Sequence, residues 1–210
     1  MKYSSDEILE LSEMVKSRLS EKRYKHTLSV LEAAQNIAKY FVDIDISELS
    51  AAALLHDVTK ELSYEEQLLL LKDGGIVISD DDRNTAPILH SLSAQVVIKR
   101  DFAKFATDSI ISAVEKHTTG SADMSLFDKI IFIADYVEDT RIYDSCVKVR
   151  EQLFSALSME VDRCKNENEV NKAVFDSLVF TENDLIKRGR IPNQRSLIAK
   201  KSISKHLLNS

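Results

Sequence analysis

Ala51-Ala52-Ala53-Leu54-Leu55-His56-Asp57 is apolar for five residues and then abruptly polar. Ser47 ahead of it is an N-cap type and Leu49 extends the apolar character, so the stretch predicts a short helix buried on nearly all sides and central to the fold. Ile130-Ile131-Phe132-Ile133-Ala134 has the same character and ends in Asp135. Its β-branched and aromatic residues suit a strand, but nothing nearby offers a partner strand. The run therefore predicts a second buried helix, capped by Ser125 or Asp128.

Outward from these two runs, apolar residues recur at helical spacing. Asp6–Leu19 carries Ile8, Leu9, Leu11, Val15 and Leu19 on one side, and Arg23–Tyr40 buries a stripe of His26, Val30, Ala33 or Ala34, and Ile37, with Phe41 beyond. His26 thus falls on an apolar face. Ser63-Tyr64-Glu65-Glu66 opens a helix to Leu71 as a capping box, and Asp73-Gly74-Gly75 stops it. A polar loop over Ser79–Thr85 leads to Pro87, a first-turn residue, and a helix to Lys99. Further helices are predicted over Asp101–Glu115, Asp144–Lys165 and Glu169–Lys187. With 4 Gly and 2 Pro in 210 residues, against a usual share of roughly 12%, the chain lacks the turn residues of a sheet-rich fold. The fold class is all-α: a single-domain helical bundle over residues 1–190, followed by a basic C-terminal tail, 191–210.

The composition excludes several classes of protein. A chain that is 44% hydrophobic is not disordered, and no stretch approaches the roughly 18 apolar residues of a membrane span. No export signal opens the chain, and Cys146 and Cys164 lack a close-spaced partner motif, which together predict a cytoplasmic protein. Net charge is −6, but Ile186–Ser210 holds seven Lys or Arg and no acid, leaving residues 1–185 with 21 basic and 34 acidic side chains, a balance of −13. An acidic body argues against wrapping nucleic acid; the tail is either solvated or placed over a phosphate site.

Four of the five histidines, His26, His56, His90 and His117, fall at or near the ends of separate predicted helices; the fifth is His206. Asp57 and Asp135 emerge from the two most apolar helices, where a buried carboxylate costs several kcal/mol unless it is paired or holds a cation. Taken singly, each histidine reads as a hydrogen-bonded core residue and each aspartate as a cap or a partner of Lys60 or Arg141. Together, imidazoles and carboxylates without cysteine are the ligand set of divalent iron, manganese or zinc in a hydrolytic site, whereas magnesium prefers oxygen alone.

The order His26, His56-Asp57, Asp135 resembles the H…HD…D signature of the HD-domain metal-dependent phosphohydrolases. Arg23-Tyr24-Lys25-His26-Thr27, Leu89-His90-Ser91, His117-Thr118-Thr119-Gly120 and Ala134-Asp135-Tyr136-Val137-Glu138, with Arg141 beyond, narrow the likeness to the YqeK-type hydrolases, which split diadenosine tetraphosphate into two ADP. The family pattern usually has a proline after Glu138, where this chain has Asp139. The resemblance spans residues 15–200 and implies an all-helical fold, a centre containing iron and able to hold two ions (manganese, zinc, cobalt and magnesium being the alternatives), and a dinucleoside polyphosphate or nucleotide substrate. It places His26, His56, Asp57 and Asp135 on one ion and His90 and His117 on the second, with Asp57 as bridge and a catalytic group. Lys60 and Arg141, the other two expected catalytic groups, and Arg23 contact phosphate or else form surface ion pairs, with Lys60 one helical turn beyond His56. Thr118, Thr119 and Gly120 cradle an anion, or Gly120 merely stops a helix; Tyr136 stacks on a base or packs. The alternatives are another HD phosphohydrolase acting on a nucleoside mono-, di- or triphosphate or a cyclic nucleotide, a catalytically silent nucleotide-binding regulator, and a module docking RNA through its tail. The apolar face Val147–Leu157 offers a homodimer surface.

Overall fold

A computed structural model describes residues 1–159 and 162–209. These form eleven α-helices: α1 Ser5–Lys16, α2 Glu21–Ala38, α3 Ile46–Leu55, α4 Tyr64–Asp73, α5 Asp80–Asn84, α6 Leu89–Asp101, α7 Asp108–Lys116, α8 Leu126–Val137, α9 Asp144–Met159, α10 Arg163–Lys187 and α11 Gln194–Asn209. Two 3₁₀ turns, Ala86–Ile88 and Ala103–Phe105, precede α6 and α7. The described residues contain no strand and no helix long and apolar enough to cross a membrane.

The two apolar runs are the two central helices. Every residue of α3 from Leu49 to Leu55 is buried, and α3 packs against α1, α2, α7 and α8. In α8 everything from Phe127 to Ala134 is buried, and the helix touches α2, α3, α7, α9 and α10. Leu54, Leu55, Ile130, Ile131 and Ile133 are wholly enclosed. Truncating any one to alanine costs about 2–5 kcal/mol, depending on how well its cavity collapses. Because both helices are surrounded, the polar residues at their C-terminal ends are delivered into the protein rather than to its surface.

Several boundaries differ from expectation, each for a local reason. Asp45, not Ser47, caps α3, its carboxylate accepting from the N–H groups of Ser47 and Glu48. The predicted helix Asp101–Glu115 breaks at Phe102: a 3₁₀ turn buries Phe102 and Phe105, and Thr107 caps a fresh start. Within the expected loop, Ser79 caps one turn, α5, whose three aspartates suit a helix N-terminus. The boundary expected between Lys165 and Glu169 moves back because Asp162 caps α10, accepting from Cys164 and Lys165.

Two larger expectations are corrected. Val149, Leu153 and Leu157 of the Val147–Leu157 face are buried against α10, so this apolar surface is used within the chain and is not left for a dimer. Residues 191–210, expected as a basic tail, contain α11, which packs on α10 through buried Ala199 and Ile203. Two of its cations pair with the acidic body: Arg195 with Asp82 and Glu115, and Lys200 with Glu182.

Candidate metal centre

Five elements bring six ligand-type side chains to one place. His26 comes from the second turn of α2, His56 ends α3 and is followed by Asp57, His90 is the second residue of α6, His117 ends α7, and Asp135 lies in the last turn of α8. Helix C-termini leave carbonyls unpaired, and two rings use them, while the third uses a carbonyl of the 3₁₀ turn before its helix. His56 Nδ1 donates to the Ala53 carbonyl at 2.7 Å, His117 Nδ1 to Val114 at 2.7 Å, and His90 Nδ1 to Pro87 at 2.8 Å. Each acceptor lies three residues back. The proton therefore sits on Nδ1, and the Nε2 lone pair faces inward.

Asp57 is the hub. Its Oδ2 lies 3.7 Å from His26 Nε2 and 3.5 Å from His56 Nε2, while Oδ1 lies 3.1 Å from His90 Nε2 and 3.6 Å from His117 Nε2. Asp135 Oδ1 is 3.1 Å from His26 Nε2. His56, His117 and Asp135 form a further group with ligand atoms within 4.8 Å of one another. A divalent ion with nitrogen and oxygen ligands at about 2.0–2.2 Å sets neighbouring ligand atoms about 3.0–3.6 Å apart. Four of the five carboxylate–imidazole distances fall in that range, and the fifth, at 3.7 Å, is just beyond it.

The donor chemistry also fits a cation. His90 Nε2 and His117 Nε2 are 3.0 Å apart, and with both protons on Nδ1 their lone pairs oppose each other. The Thr118 hydroxyl, 3.2 and 3.1 Å from them, carries one proton and satisfies only one, and the Lys60 ammonium, 3.2 Å from His90 Nε2, already brings a cation to the pair. Nε2 of His26 and of His56 have no hydrogen-bond partner among the described residues. A buried bare Nε2 on His56 beside a carboxylate oxygen is costly without a cation between them, and on His26 a proton or an ion fills that place beside Asp135.

The charges sort the histidines. Burial, together with the Lys60 ammonium and neighbouring His117, lowers His90 to about 4 despite Asp57, and burial lowers His117 as well. Both are neutral, as ligands must be. Burial also opposes protonation of His26, but Asp135 and Glu138 outweigh it and raise this ring to about 9, so an ion binding at its Nε2 displaces a proton. Burial would raise Asp57, yet the surrounding histidines hold it well below the usual carboxylate range; His26 and Arg141 do the same for Asp135.

The expected phosphate contacts divide. Arg23 Nη1 donates to Asp57 Oδ2 at 2.9 Å, and Arg141 donates to Asp135 through Nη2 (Oδ1, 2.8 Å) and Nε (backbone carbonyl, 3.1 Å). Lys60 reaches the centre, but not by helical spacing. The helix stops at Leu55, the Lys60 N–H closes a turn on the Asp57 carbonyl, and Nζ comes within 3.2–3.3 Å of both His90 ring nitrogens. Beside the cluster opens a cleft of about 380 Å³ that shares His117, Thr118, Asp135 and Arg141 with it; Phe132, Tyr136, Tyr143 and Phe180 are among its other walls. Tyr136 is half-buried there, its phenol pushed up to about 12 by burial. Thr119 and Gly120 do not line this cleft. Thr119 is buried with its hydroxyl on the Gly120 carbonyl, and Gly120 (φ 68°) ends α7 against Ala199 of α11.

Sequence reasoning assigned no role to Glu138, which is buried at the end of the second apolar run. It accepts from His26 Nδ1 at 3.1 Å and from the Thr140 N–H and hydroxyl at 2.6 Å each. A carboxylate behind a ligand histidine aims its other nitrogen inward, and an acid closing an apolar helix was the available signal. Tyr143 and Phe180 carry no such signal. They reach the cleft only through the packing of α9 and α10.

A helical bundle that gathers imidazoles and carboxylates from the ends of its helices defines a metal-dependent helical hydrolase. The HD domain family model matches residues 23–140, and the chain belongs to this family. The chain is 30% identical over 182 residues to a protein of Halalkalibacterium halodurans named symmetrical bis(5'-nucleosyl)-tetraphosphatase, covering 85% of this chain and 87% of that one. A protein of the same name from Bacillus subtilis is 27% identical over 176 residues, 84% and 86% of the two chains. A crystal structure described as a predicted HD superfamily hydrolase involved in NAD metabolism, from Clostridium acetobutylicum, superposes with a TM-score of 0.81 at 27% identity, over 97% of this chain and 98% of that one. As a member of the family, this chain binds divalent metal.

Proposed function

We propose that this chain cleaves a dinucleoside tetraphosphate symmetrically, diadenosine tetraphosphate giving two ADP, the activity for which its relatives are named. The observation that carries the reading is Asp57, whose two oxygens face different histidine pairs. Asp57 would bridge two ions, one held with His26, His56 and Asp135 and the other with His90 and His117. Iron is the proposed metal, suited to imidazole and carboxylate ligands without thiolate; availability in the cell decides between it and manganese, zinc or cobalt. Cys146 and Cys164 are free, in keeping with a reducing cytoplasm.

Bound divalent ions neutralise polyphosphate charge and acidify water. The protein supplies the rest. Arg23 and Arg141 lie on the carboxylates at the mouth of the centre and fork onto entering phosphate oxygens, adding charge where the leaving group develops it. Lys60, with its pKa lowered by burial, contributes a third cation beside His90. Thr118 donates its hydroxyl proton toward the substrate. Phe132, Tyr136 and Phe180 offer aromatic faces to a base within the cleft. Glu138 keeps His26 Nε2 aimed inward.

The test pairs metal analysis with product identification. The loaded protein is expected to yield ADP alone from diadenosine tetraphosphate; AMP plus ATP would mean asymmetric attack and overturn the proposal. His56→Ala and Asp57→Ala are each expected to lose bound metal and turnover while circular dichroism stays helical. Turnover by a metal-free variant would refute the mechanism.

A further inference from the structure

We propose that Arg195 is a positioning residue for the His90–His117 side of the centre, a clamp by which the C-terminal helix sets the separation of the two segments carrying those histidines. This rests on reading His90 and His117 as ion ligands. One guanidinium spans both segments. Its Nε and Nη2 donate to the two oxygens of Asp82 at 3.2 and 3.3 Å, and its Nη1 donates to Glu115 Oε1 at 3.2 Å. Asp82 is buried in α5, whose chain runs directly into the turn at Pro87, the residue whose carbonyl orients the His90 ring. Glu115 lies in the last turn of α7, two residues before His117.

The surroundings make this a built arrangement. Asn193 Nδ2 donates to Asp82 Oδ1 at 3.3 Å, and the Gln194 N–H donates to Asp81 Oδ2 at 2.8 Å, so the start of α11 is stitched to α5 at three residues. Further along, Ser202 donates to the Ala122 carbonyl at 2.7 Å, and Ala199 packs on Gly120, tying the same helix to the loop after His117. A single turn such as α5 is not stable alone, so its position is set by what grips it. Ligand atoms must be placed to within about 0.5 Å. Arginine suits the task because its fork is planar and fixed, so two carboxylates bound to it have a defined separation that lysine would not impose. Asp81, Asp82 and Arg195, which the reaction does not use, are explained together.

The test titrates metal-free protein with Mn²⁺ alone, so that it reads ion affinity and not turnover. Arg195→Ala is expected to weaken the ion lost in His117→Ala by about 10–100-fold, the usual penalty for removing outer support of a ligand, with helix content unchanged. Glu115→Ala, which leaves the Asp82 pairing and the docking of α11 in place, is expected to weaken the same ion. Lys200→Ala frees α11 from Glu182 without touching either segment and is expected to bind Mn²⁺ as wild type does; weakening equal to that of Arg195→Ala would mean general helix docking and overturn the clamp. His117→Ala is the reference and loses that ion. If it does so while Arg195→Ala and Glu115→Ala bind as wild type, the clamp is wrong and the centre stands. If His117→Ala itself binds as wild type, the reading of the centre fails.

Discussion

Gly120→Ala separates two readings of the His117-Thr118-Thr119-Gly120 turn. Gly120 has φ 68°, donates its N–H to the Lys116 carbonyl at 2.8 Å, and would place an added Cβ 2.9 Å from Ala199 Cβ and 3.2 Å from Met124 Sδ. Gly189, with φ 67°, would meet nothing within 4 Å. The left-handed backbone costs an alanine about 1–2 kcal/mol at either site, partly offset by the lower entropy of the unfolded chain. Only Gly120 adds overpacking against a backbone-anchored methyl, about 1–3 kcal/mol. Gly189→Ala is therefore expected to destabilise by about 1 kcal/mol, and Gly120→Ala by about 2–4 kcal/mol, from the same sources. Urea unfolding of the metal-free protein measures both. A Gly120→Ala protein no less stable than Gly189→Ala, but with a raised KM, would mean that the glycine serves an anion and not the junction of α7 with α11.

Three further outcomes follow from the structure. Asp82 is held below the usual carboxylate range, since Ser79, Arg195 and Asn193 outweigh the burial that would raise it. Its folded value lies below the unfolded value of about 3.9, so its contribution is complete at neutral pH and is lost as pH falls below about 4. Asp82→Asn is expected to flatten that acid limb of stability, and an unchanged limb would contradict the pairing. Asp139 is exposed and donates its N–H to Ser29 Oγ at 3.2 Å, and Glu138 before it is extended (φ −61°, ψ 154°), as a residue preceding proline must be. Asp139→Pro, the residue usual in the family pattern, is expected to trade one hydrogen bond for unfolded-state entropy and change stability by less than about 1 kcal/mol, checked by thermal unfolding. Phe180→Ala is expected to raise KM about 5–150-fold, the equivalent of about 1–3 kcal/mol of base stacking, with kcat little changed; an unaltered KM would remove Phe180 from the nucleoside wall.

The sequence by itself determined the bundle and the residues that gather at the candidate metal centre. Ala51–Leu55 and Ile130–Ala134 are apolar on all sides, a helix of that kind has to be surrounded, and whatever terminates it is carried inside. His56, Asp57 and Asp135 were legible for that reason, and His26 because helical spacing put it on a buried stripe. Helix ends were less legible: Asp45 replaced Ser47 as a cap, and the chain broke at Phe102, because side-chain hydrogen bonds and local burial choose among neighbouring stops. Tertiary structure alone decided which surfaces remained free. The Val147–Leu157 face found a partner in α10, and Arg195 and Lys200 of the basic C-terminus found theirs in Asp82, Glu115 and Glu182. Tertiary structure also decided that Glu138 stands behind His26, that Lys60 meets His90 by way of a turn, and that Phe180 faces the cleft. Spacing along a helix says which residues share a face. Contacts between segments a hundred residues apart depend on how faces from different helices are brought together, and that is settled only when the core closes.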